Sequence, residues 1–375
     1  MRRQCLLWLS FGIGRISVDS WPERRVAREA NVHIEGERYA TPAQQARRVA
    51  VFGAGSWGTA LALHCARAGH SVTLWGRDAS RMRAMDGSRR NVDYLPGAEL
   101  PPTVALTADS GEALKEAQLV VSAIPSRHTR ALWRDLREEV PAGCHMISAS
   151  KGIEEHTGAR MSVVLGETLE HVGSVSSLSG PSFAVELAAG HPTAVTLACD
   201  DAECAHDIQR ALSAGALRVY RSDDLVGVEM GGALKNIIAI AAGIVDGLGF
   251  GSNTQAALIS RGLKEMSVLA VSCGARADTL MGLAGLGDLV LTCTGPLSRN
   301  RSLGVEIAEG KSLEEITAAM TMVAEGAVTT RSAFELAQRH GVDMPISRGV
   351  HAVLYEGLDP RTGIEKLLSR ALAEE

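Results

Sequence analysis

The sequence has little lysine, few aromatic residues and no cysteines at metal-binding spacing. Six lysines stand against 32 arginines, so each lysine carries more information than in an ordinary chain. The seven cysteines are odd in number and form no CxxC motif, which argues against a structural metal and predicts a reducing cytoplasm. The net charge of -5, with no basic run after the N-terminal segment, argues against nucleic acid as the main partner.

Long apolar runs without charge are also missing. The stretch from Met230 to Val245 comes closest to a membrane span, but its glycines and the flanking Glu229 and Asp246 favour a protein core. Apolar content near half, with charges of both signs, is typical of a globular protein. A length of 375 residues suits two domains.

Residues 1–46 differ from the rest of the chain. They are rich in arginine, contain no lysine and show no sustained helical or strand period, so we assign them no fold. Arg2-Arg3 before a short apolar run resembles the start of a signal peptide, but no clear cleavage site follows. A disordered arm and a start codon placed too early are both favoured over a targeting segment.

A glycine-rich loop lies between a predicted strand, 49–52, and a predicted helix, 59–68. It reads Gly53-Ala54-Gly55-Ser56-Trp57-Gly58, which is GxGxxG in the context of a dinucleotide-binding unit. Gly53 would permit the tight turn, Gly55 would let backbone approach a pyrophosphate, and Gly58 would let helix and strand pack closely. The alternative is a glycine-rich turn without a ligand.

The second predicted strand, 71–75, is followed by Gly76-Arg77-Asp78. An enzyme restricted to NAD usually has an acidic residue here, against the ribose, whereas Arg77 suits a 2′-phosphate. The sequence therefore predicts use of NADPH, possibly alongside NADH. The alternative interpretation of Arg77 is a solvated surface charge.

Strands and helices continue to alternate up to Tyr220, and no strand is predicted beyond it. The pattern predicts an α/β protein, in which a Rossmann-type, mostly parallel sheet domain (47–225) precedes an all-helical substrate domain (226–375), with the substrate in a cleft between them. Lys151 follows the carboxyl end of a strand, where ligands bind, although an exposed loop lysine is the alternative. The turn Gly180–Ala184 could present N–H groups to an anion.

The most informative lysine is Lys235, the only ionisable residue from Met230 to Val245. Burial in this apolar helix would lower its pKa and make it a base near neutral pH. Gly231 and Ala239, one turn either side, would leave room for a group to approach the amine. The alternative is a lysine that snorkels to solvent.

Two further candidates lie in the helical half. Asp288 follows a glycine-rich stretch and could be the N-cap of a helix. Ser298 is a second candidate N-cap, with Arg299 in the first turn, where a cation is unfavourable unless it shares a bound phosphate with the helix N–H groups.

Taken together these motifs resemble the bacterial NAD(P)-dependent glycerol-3-phosphate dehydrogenases from about Arg48 to near the C-terminus. The resemblance rests on the glycine-rich loop and on the motifs Ser150-Lys151-Gly152, Ser179–Ala184, Gly231–Asn236, Gly285–Leu289 and Ser298-Arg299-Asn300. It implies that the cofactor contacts Ser56, Trp57, Arg77, Lys151, Ala184, Arg299, Val323 and Glu325. It also implies that the substrate contacts Lys151, Gly180, Ser182, Lys235, Asp288, Ser298, Arg299 and Asn300, with Lys235 as the proton acceptor.

The expected reaction is hydride transfer between the nicotinamide of NADP or NAD and C2 of sn-glycerol 3-phosphate. Lys235 would move the proton, Lys151 would stabilise the alkoxide, Asp288 would orient the lysine or a hydroxyl, and Arg299 with Asn300 would hold the phosphate. The resemblance further implies a cytoplasmic homodimer that supplies phospholipid synthesis. A β-hydroxyacid-type dehydrogenase acting on a carboxylate and a non-catalytic dinucleotide-binding regulator are the alternatives.

Overall fold

The structure is a computed structural model that describes residues 45–319 and 325–369. The predicted N-terminal extension lies outside the described residues except for its last two positions.

The first half of the described chain contains ten strands, most of which form one large sheet. The strands are β1 (Arg48–Phe52), β2 (Ser71–Trp75), β3 (Arg90–Asn91), β4 (Leu95–Glu99), β5 (Val104–Thr107), β6 (Leu119–Ser122), β7 (His145–Ser148), β8 (Ser174–Ser179), β9 (Thr193–Ala198) and β10 (Leu217–Ser222). Eight of them pair in the order β10-β9-β8-β7-β6-β1-β2-β5, and every pair is parallel except β8 with β9. The mostly parallel sheet predicted from the sequence is confirmed.

Helices follow most strands and make up the rest of the described chain. They are α1 (Ser56–Arg67), α2 (Ala79–Ser88), α3 (Ser110–Leu114), α4 (Ser126–Asp135), α5 (Met161–Thr168), α6 (Ala184–Ala189), α7 (Ala202–Leu212), α8 (Leu225–Gly247), α9 (Ser252–Ser272), α10 (Ala277–Leu280), α11 (Asp288–Thr294), α12 (Arg299–Ala308), α13 (Leu313–Ala319), α14 (Glu325–His340), α15 (Pro345–Tyr355) and α16 (Pro360–Leu368). A π-helical turn, Leu283–Gly287, joins α10 to α11.

The sheet order creates a crevice at the carboxyl ends of β1 and β6. From β1 the chain moves outward through β2 to β5, then returns to the other side of β1 as β6. At such a reversal of strand order the loops diverge and leave room for a ligand. Both strands are apolar and buried on both faces, as parallel central strands usually are. The glycine-rich loop leaves β1 at this crevice.

The helical half is built around α8. Every residue from Gly227 to Val245 is buried, and α9, α11, α12, α14 and α15 pack against this helix. It is long and apolar enough to cross a membrane, but its whole apolar window lies inside the protein. A bent pair of helices, residues 277–294 with 299–308, passes the same test only when taken together. The prediction of a buried core helix is confirmed.

The predicted boundaries differ from the observed ones in places. Helix α1 begins at Ser56 rather than at Thr59. Helix α9 and the β3–β4 hairpin were not predicted. The hairpin has only two residues in its first strand, which is too short for a period of two to be detected.

Candidate active site

Packing explains why glycine occupies the two outer glycine positions of the glycine-rich loop. Gly53 has a φ of 114°, and a Cβ there would lie 2.5 Å from the carbonyl oxygen of Ala123. A Cβ at Gly58 would lie 2.0 Å from the oxygen of Gly53, whereas one at Gly55 would meet nothing within 4 Å. The two outer glycines therefore permit close packing, and Gly55 leaves open space beside its backbone.

Side chains around this loop fit a dinucleotide. The indole Nε1 of Trp57 is buried and has no hydrogen-bond partner among the described residues. The hydroxyl of Ser56 donates to the oxygen of Tyr94 at 2.6 Å. Asp78 caps α2 by accepting from the N–H groups of Ser80 and Arg81, while Arg77 is exposed beside it. An open loop, an unpaired indole N–H and an exposed cation are features that a bound dinucleotide would use.

Lys151 lies just beyond β7 and reaches across to the helical half. Its Nζ lies 2.7 Å from Oδ2 of Asp288, 2.9 Å from the oxygen of Gly180 and 3.5 Å from Oγ of Ser182. The side chain is only 18% exposed, so the alternative of an exposed loop lysine is wrong. Gly180, whose carbonyl faces this amine, has a φ of 138°, a backbone conformation that favours glycine.

Lys235 is buried, as its apolar helix predicts. The residue is 7% exposed, and its Nζ contacts Oδ1 of Asp288 at 3.1 Å and Oγ1 of Thr292 at 2.5 Å. The snorkelling alternative is therefore wrong. Burial, with a smaller contribution from the charge of Lys151, lowers the pKa of Lys235 to about 8, although the carboxylate of Asp288 opposes the shift. An amine with this pKa exchanges protons near neutral pH.

Asp288 does not cap a helix, which corrects the N-cap interpretation. It is the first residue of α11, preceded by Gly287, and its carboxylate points to the two lysines instead of folding back on the helix N–H groups. It is 1% exposed. Burial raises the pKa of Asp288, but the charges and hydrogen bonds of Lys151 and Lys235 outweigh burial, so its pKa lies below the ordinary value. Two cations share one anion, which leaves the cluster with a net positive charge.

The space expected beside Gly231 is filled. A Cβ at Gly231 would lie 2.6 Å from the oxygen of Ala284, because the backbone of the π-helical turn packs directly on α8 there. This glycine brings the segment before Asp288 close to Lys235 rather than admitting a ligand. Gly232 instead faces Oγ of Ser179 and the stem of Lys151.

The start of α12 lies close to α8 and α14. Ser298 is its N-cap, as predicted, and its Oγ accepts from the N–H of Arg301 at 3.2 Å. Asn300 donates to Oδ1 of Asn236 at 2.9 Å and accepts from the N–H of Gly326 at 3.0 Å. Because Asn236 follows Lys235 directly in α8, this bridge fixes α12 relative to the amine.

Arg299 and Glu325 lie close enough to interact. Burial lowers the pKa of Arg299, and the carboxylate of Glu325 opposes that effect. Burial raises the pKa of Glu325 to about 7, opposed by the N–H of Ser126, which approaches its Oε1 at 3.4 Å, and by Arg299. Glu325 therefore links α14 to the start of α4, beside the crevice. Val323, the other position implied by resemblance, lies outside the described residues.

The loop after β8 contacts the loop before α12. Ala184 begins α6 and is partly buried, and the ring of the preceding Phe183 packs on Gly295, where a Cβ would lie 2.6 Å from the ring. The segment containing Gly180 and Ser182 is thereby set against the segment containing Arg299.

Lys151, Gly180, Ser182, Lys235 and Asp288 thus meet at one point. Sequence reasoning missed one side chain there, Thr292, and it also missed Asn236, which contacts Asn300. Thr292 donates to the main-chain oxygen of Asp288 at 2.6 Å, so its Oγ1 accepts from Lys235. Its position one helical turn after Asp288 was a usable signal, since residues four apart share a helix face.

Two family profiles match the chain. Residues 48–205 match the one described as NAD-dependent glycerol-3-phosphate dehydrogenase N-terminus, and residues 224–365 match the corresponding C-terminus. A protein of Nitratidesulfovibrio vulgaris named glycerol-3-phosphate dehydrogenase, NAD(P)+, is 49% identical over 333 residues, which are 88% of this chain and 100% of that protein. A protein of the same name from Acidobacterium capsulatum is 49% identical over 336 residues, covering 88% and 99%.

The comparison with solved structures points to the same family. The crystal structure of glycerol-3-phosphate dehydrogenase from Coxiella burnetii superposes with a TM-score of 0.84 at 39% identity, covering 87% of this chain and 99% of that one. A ketopantoate reductase from Ralstonia eutropha, at 17% identity and a TM-score of 0.56 over 84% and 99% of the two chains, shares the fold alone.

Proposed function

The chain belongs to the NAD-dependent glycerol-3-phosphate dehydrogenase family and interconverts dihydroxyacetone phosphate and sn-glycerol 3-phosphate with NAD(P)H, and from this premise we propose that Lys235 exchanges the proton of the reaction. The observation that carries the proposal is the buried amine of Lys235, held by Asp288 and Thr292 and with a pKa of about 8. Family membership decides against both a carboxylate substrate and a non-catalytic regulator.

The crevice at the glycine-rich loop fits the cofactor. Gly53, Gly55 and Gly58 would carry the pyrophosphate, and Ser56, Trp57, Arg77, Lys151, Ala184, Arg299, Val323 and Glu325 would complete the binding site. The open space at Gly55 and the unpaired Nε1 of Trp57 support this assignment. When bound, the nicotinamide supplies or receives the hydride, so the protein has only to position the substrate and to manage a proton and a developing charge.

Carbonyl reduction requires a proton on oxygen as carbon receives the hydride. Protonated Lys235 would donate this proton during reduction, and neutral Lys235 would accept it during oxidation. Two of its three ammonium positions are directed at Asp288 and Thr292. The third position is left to reach the substrate oxygen, and a fixed amine delivers its proton with little reorganisation.

Lys151 would stabilise negative charge on the same oxygen. The Nζ of Lys151 lies 2.7 Å from the carboxylate of Asp288, and this contact holds the ammonium group in a single position. Asp288 thereby orients both lysines from one buried carboxylate. The three residues act as a unit, and their contributions are not expected to add.

The phosphate group of the substrate would bind at the start of α12. Arg299 supplies a guanidinium in the first turn, and Ser298, Asn300, Gly180 and Ser182 complete the site. The net positive charge of the lysine cluster and the N–H groups at the helix start favour a dianion there. The Asn236–Asn300 bond supports a fixed distance between the phosphate site and Lys235.

We propose two domains with the boundaries 47–225 and 226–375, because the strands end at Ser222 and α8 begins at Leu225.

We further propose a cytoplasmic homodimer that supplies glycerol 3-phosphate for phospholipid synthesis. Free thiols at all six described cysteines support a reducing compartment. A sedimentation measurement that gave a monomer at micromolar concentration would contradict the dimer.

The role of Lys235 is tested by replacing it with methionine. Lys235→Met removes the exchangeable proton but keeps an unbranched side chain, so turnover should fall by about 10²- to 10⁴-fold with NADPH affinity nearly unchanged. Lys264→Met is the matched control, because Lys264 is exposed on α9 away from the site. Near-normal turnover in Lys235→Met, measured by the loss of NADPH absorbance with dihydroxyacetone phosphate, would refute the assignment.

A further inference from the structure

The β3–β4 hairpin lies over the glycine-rich loop, and one buried side chain of the hairpin connects the two. Asn91 is 1% exposed. Its Nδ2 donates to the oxygen of Ala54 at 3.0 Å and to Oγ1 of Thr59 at 2.7 Å. Ala54 is the second residue of the glycine-rich loop, and Thr59 is in the first turn of α1. Both hydrogens of the Asn91 amide therefore hold the segment that faces the cofactor.

Arg81, which lies in α2, contacts both Asn91 and the glycine-rich loop. Its Nη2 donates to the same oxygen of Ala54 at 2.7 Å and to Oδ1 of Asn91 at 3.0 Å. Its guanidinium also lies over the ring of Tyr94, with 3.9 Å between Cζ and the ring centroid. The side chain of Asn91 thus has every donor and acceptor engaged, and a buried group satisfied in this way has one favoured orientation.

The Ala54 oxygen is an effective point at which to hold the loop. A peptide group is planar and trans, so fixing the Ala54 carbonyl toward the hairpin directs the N–H of Gly55 the opposite way. Gly55 has no side chain to restrict its own backbone, and nothing lies within 4 Å of its Cβ position. The orientation of this peptide must therefore be set from outside the loop.

We propose that Asn91 is a positioning residue for cofactor binding, which holds the Ala54–Gly55 peptide and the start of α1 in the orientation that receives the pyrophosphate. The inference rests on the proposed role of the glycine-rich loop in binding the cofactor. It assigns a binding role to a hairpin that has no direct part in the chemistry. Since the pyrophosphate is common to NADPH and NADH, loss of Asn91 weakens both cofactors by the same factor.

The experiment measures Kd for NADPH and for NADH, together with kcat at saturating cofactor, in Asn91→Ala and Asn91→Asp. Asn91→Ala should raise both Kd values about tenfold with kcat within about twofold of the wild type, because buried hydrogen bonds to the loop are lost and the catalytic lysines are untouched. Asn91→Asp keeps the shape but donates nothing to Ala54, so it should weaken binding at least as much. If a variant were partly unfolded, the fraction of active protein would fall, and the apparent kcat would fall with it.

The control on the same hairpin is Glu99→Gln. Glu99 is exposed, pairs with Arg90 and does not contact the loop, so binding should not change. Gly55→Ala tests the underlying assignment, because its Cβ fits the free protein but would obstruct a pyrophosphate. If Gly55→Ala binds both cofactors normally, the loop assignment fails. If Gly55→Ala weakens binding while Asn91→Ala and Asn91→Asp do not, the role of Asn91 alone is overturned.

Discussion

The two directions of the reaction should respond oppositely to pH, because the proposed mechanism assigns the proton to one amine, that of Lys235, in both. Reduction requires Lys235 protonated and oxidation requires it neutral. Burial lowers the pKa of Lys235 to about 8. Raising the pH through this value should therefore slow the reduction of dihydroxyacetone phosphate and accelerate the oxidation of sn-glycerol 3-phosphate.

The size of the effect follows from the protonated fraction. One pH unit above the pKa about a tenth of the amine is protonated, so kcat/KM for reduction at pH 9 should be about a tenth of its plateau. The oxidation profile should be the mirror image and approach its plateau at the same pH. Measurements are best made from about pH 7 upward, because a phosphate monoester has its second pKa near 6.

Two variants should move the midpoint in opposite directions. Asp288→Asn removes the carboxylate that raises the pKa of Lys235, so the midpoint moves to lower pH. Lys151→Met removes a cation that lowers it, so the midpoint moves to higher pH. Both changes reduce the rate as well, and the informative quantity is the position of the profile rather than its height.

The assay follows nicotinamide absorbance in both directions across this range. Glu325, with a pKa of about 7, lies near enough to confuse the result. The control is Glu325→Gln, in which the pH profile should keep the transition with its midpoint near pH 8. Profiles that change in the same sense for reduction and oxidation, or a midpoint that stays in place in Asp288→Asn, would refute the role of Lys235.

Three further predictions follow from other parts of the molecule. Arg77→Ala should raise KM for NADPH severalfold with KM for NADH little changed, since only NADPH carries the 2′-phosphate, and equal effects on both would contradict it. Burial raises the pKa of Glu265 to about 7 from 4.5, so the free energy of unfolding should fall as pH rises from 4.5 through 7, by up to about 3 kcal/mol. Glu265→Gln should show a shallower slope over that range in urea unfolding. Gly285→Ala, whose Cβ would lie 2.0 Å from the Leu280 oxygen, should lower Tm by several degrees, whereas Gly287→Ala, with its nearest atoms at 3.6 Å, should not.

Local signals in the sequence predicted the nucleotide half and the buried amine of Lys235. The glycine-rich loop is recognisable because its glycines, the strand before it and the helix after it are contiguous. Lys235 is recognisable because it is the only ionisable residue from Met230 to Val245, in a long apolar helix. In both cases the residues that form the recognisable pattern lie within one segment of chain.

Contacts between distant segments were not predictable in the same way. Local sequence alone allowed Asp288 to be a helix cap, because a capping Asp and a counter-ion Asp look alike in sequence, and only the family resemblance implied that it orients the lysine. The difference depends on α8, which brings Lys235 to it over 53 positions. Asn91 was not noticed, because its partners Ala54 and Thr59 lie more than 30 positions earlier and its strand is two residues long.

The pairing of Lys151 with Asp288 bears on how such a protein can evolve. If Asp288 changed alone, Lys151 at the end of β7 and Lys235 in α8 would both lose their counter-ion, whereas loss of Lys151 alone would leave Asp288 paired with Lys235. Breaking a buried pair in this way is costly to folding, whatever happens to catalysis. Selection for a folded protein and selection for an active one therefore act on the same carboxylate, and a descendant that abandoned the reaction would still be constrained at Asp288.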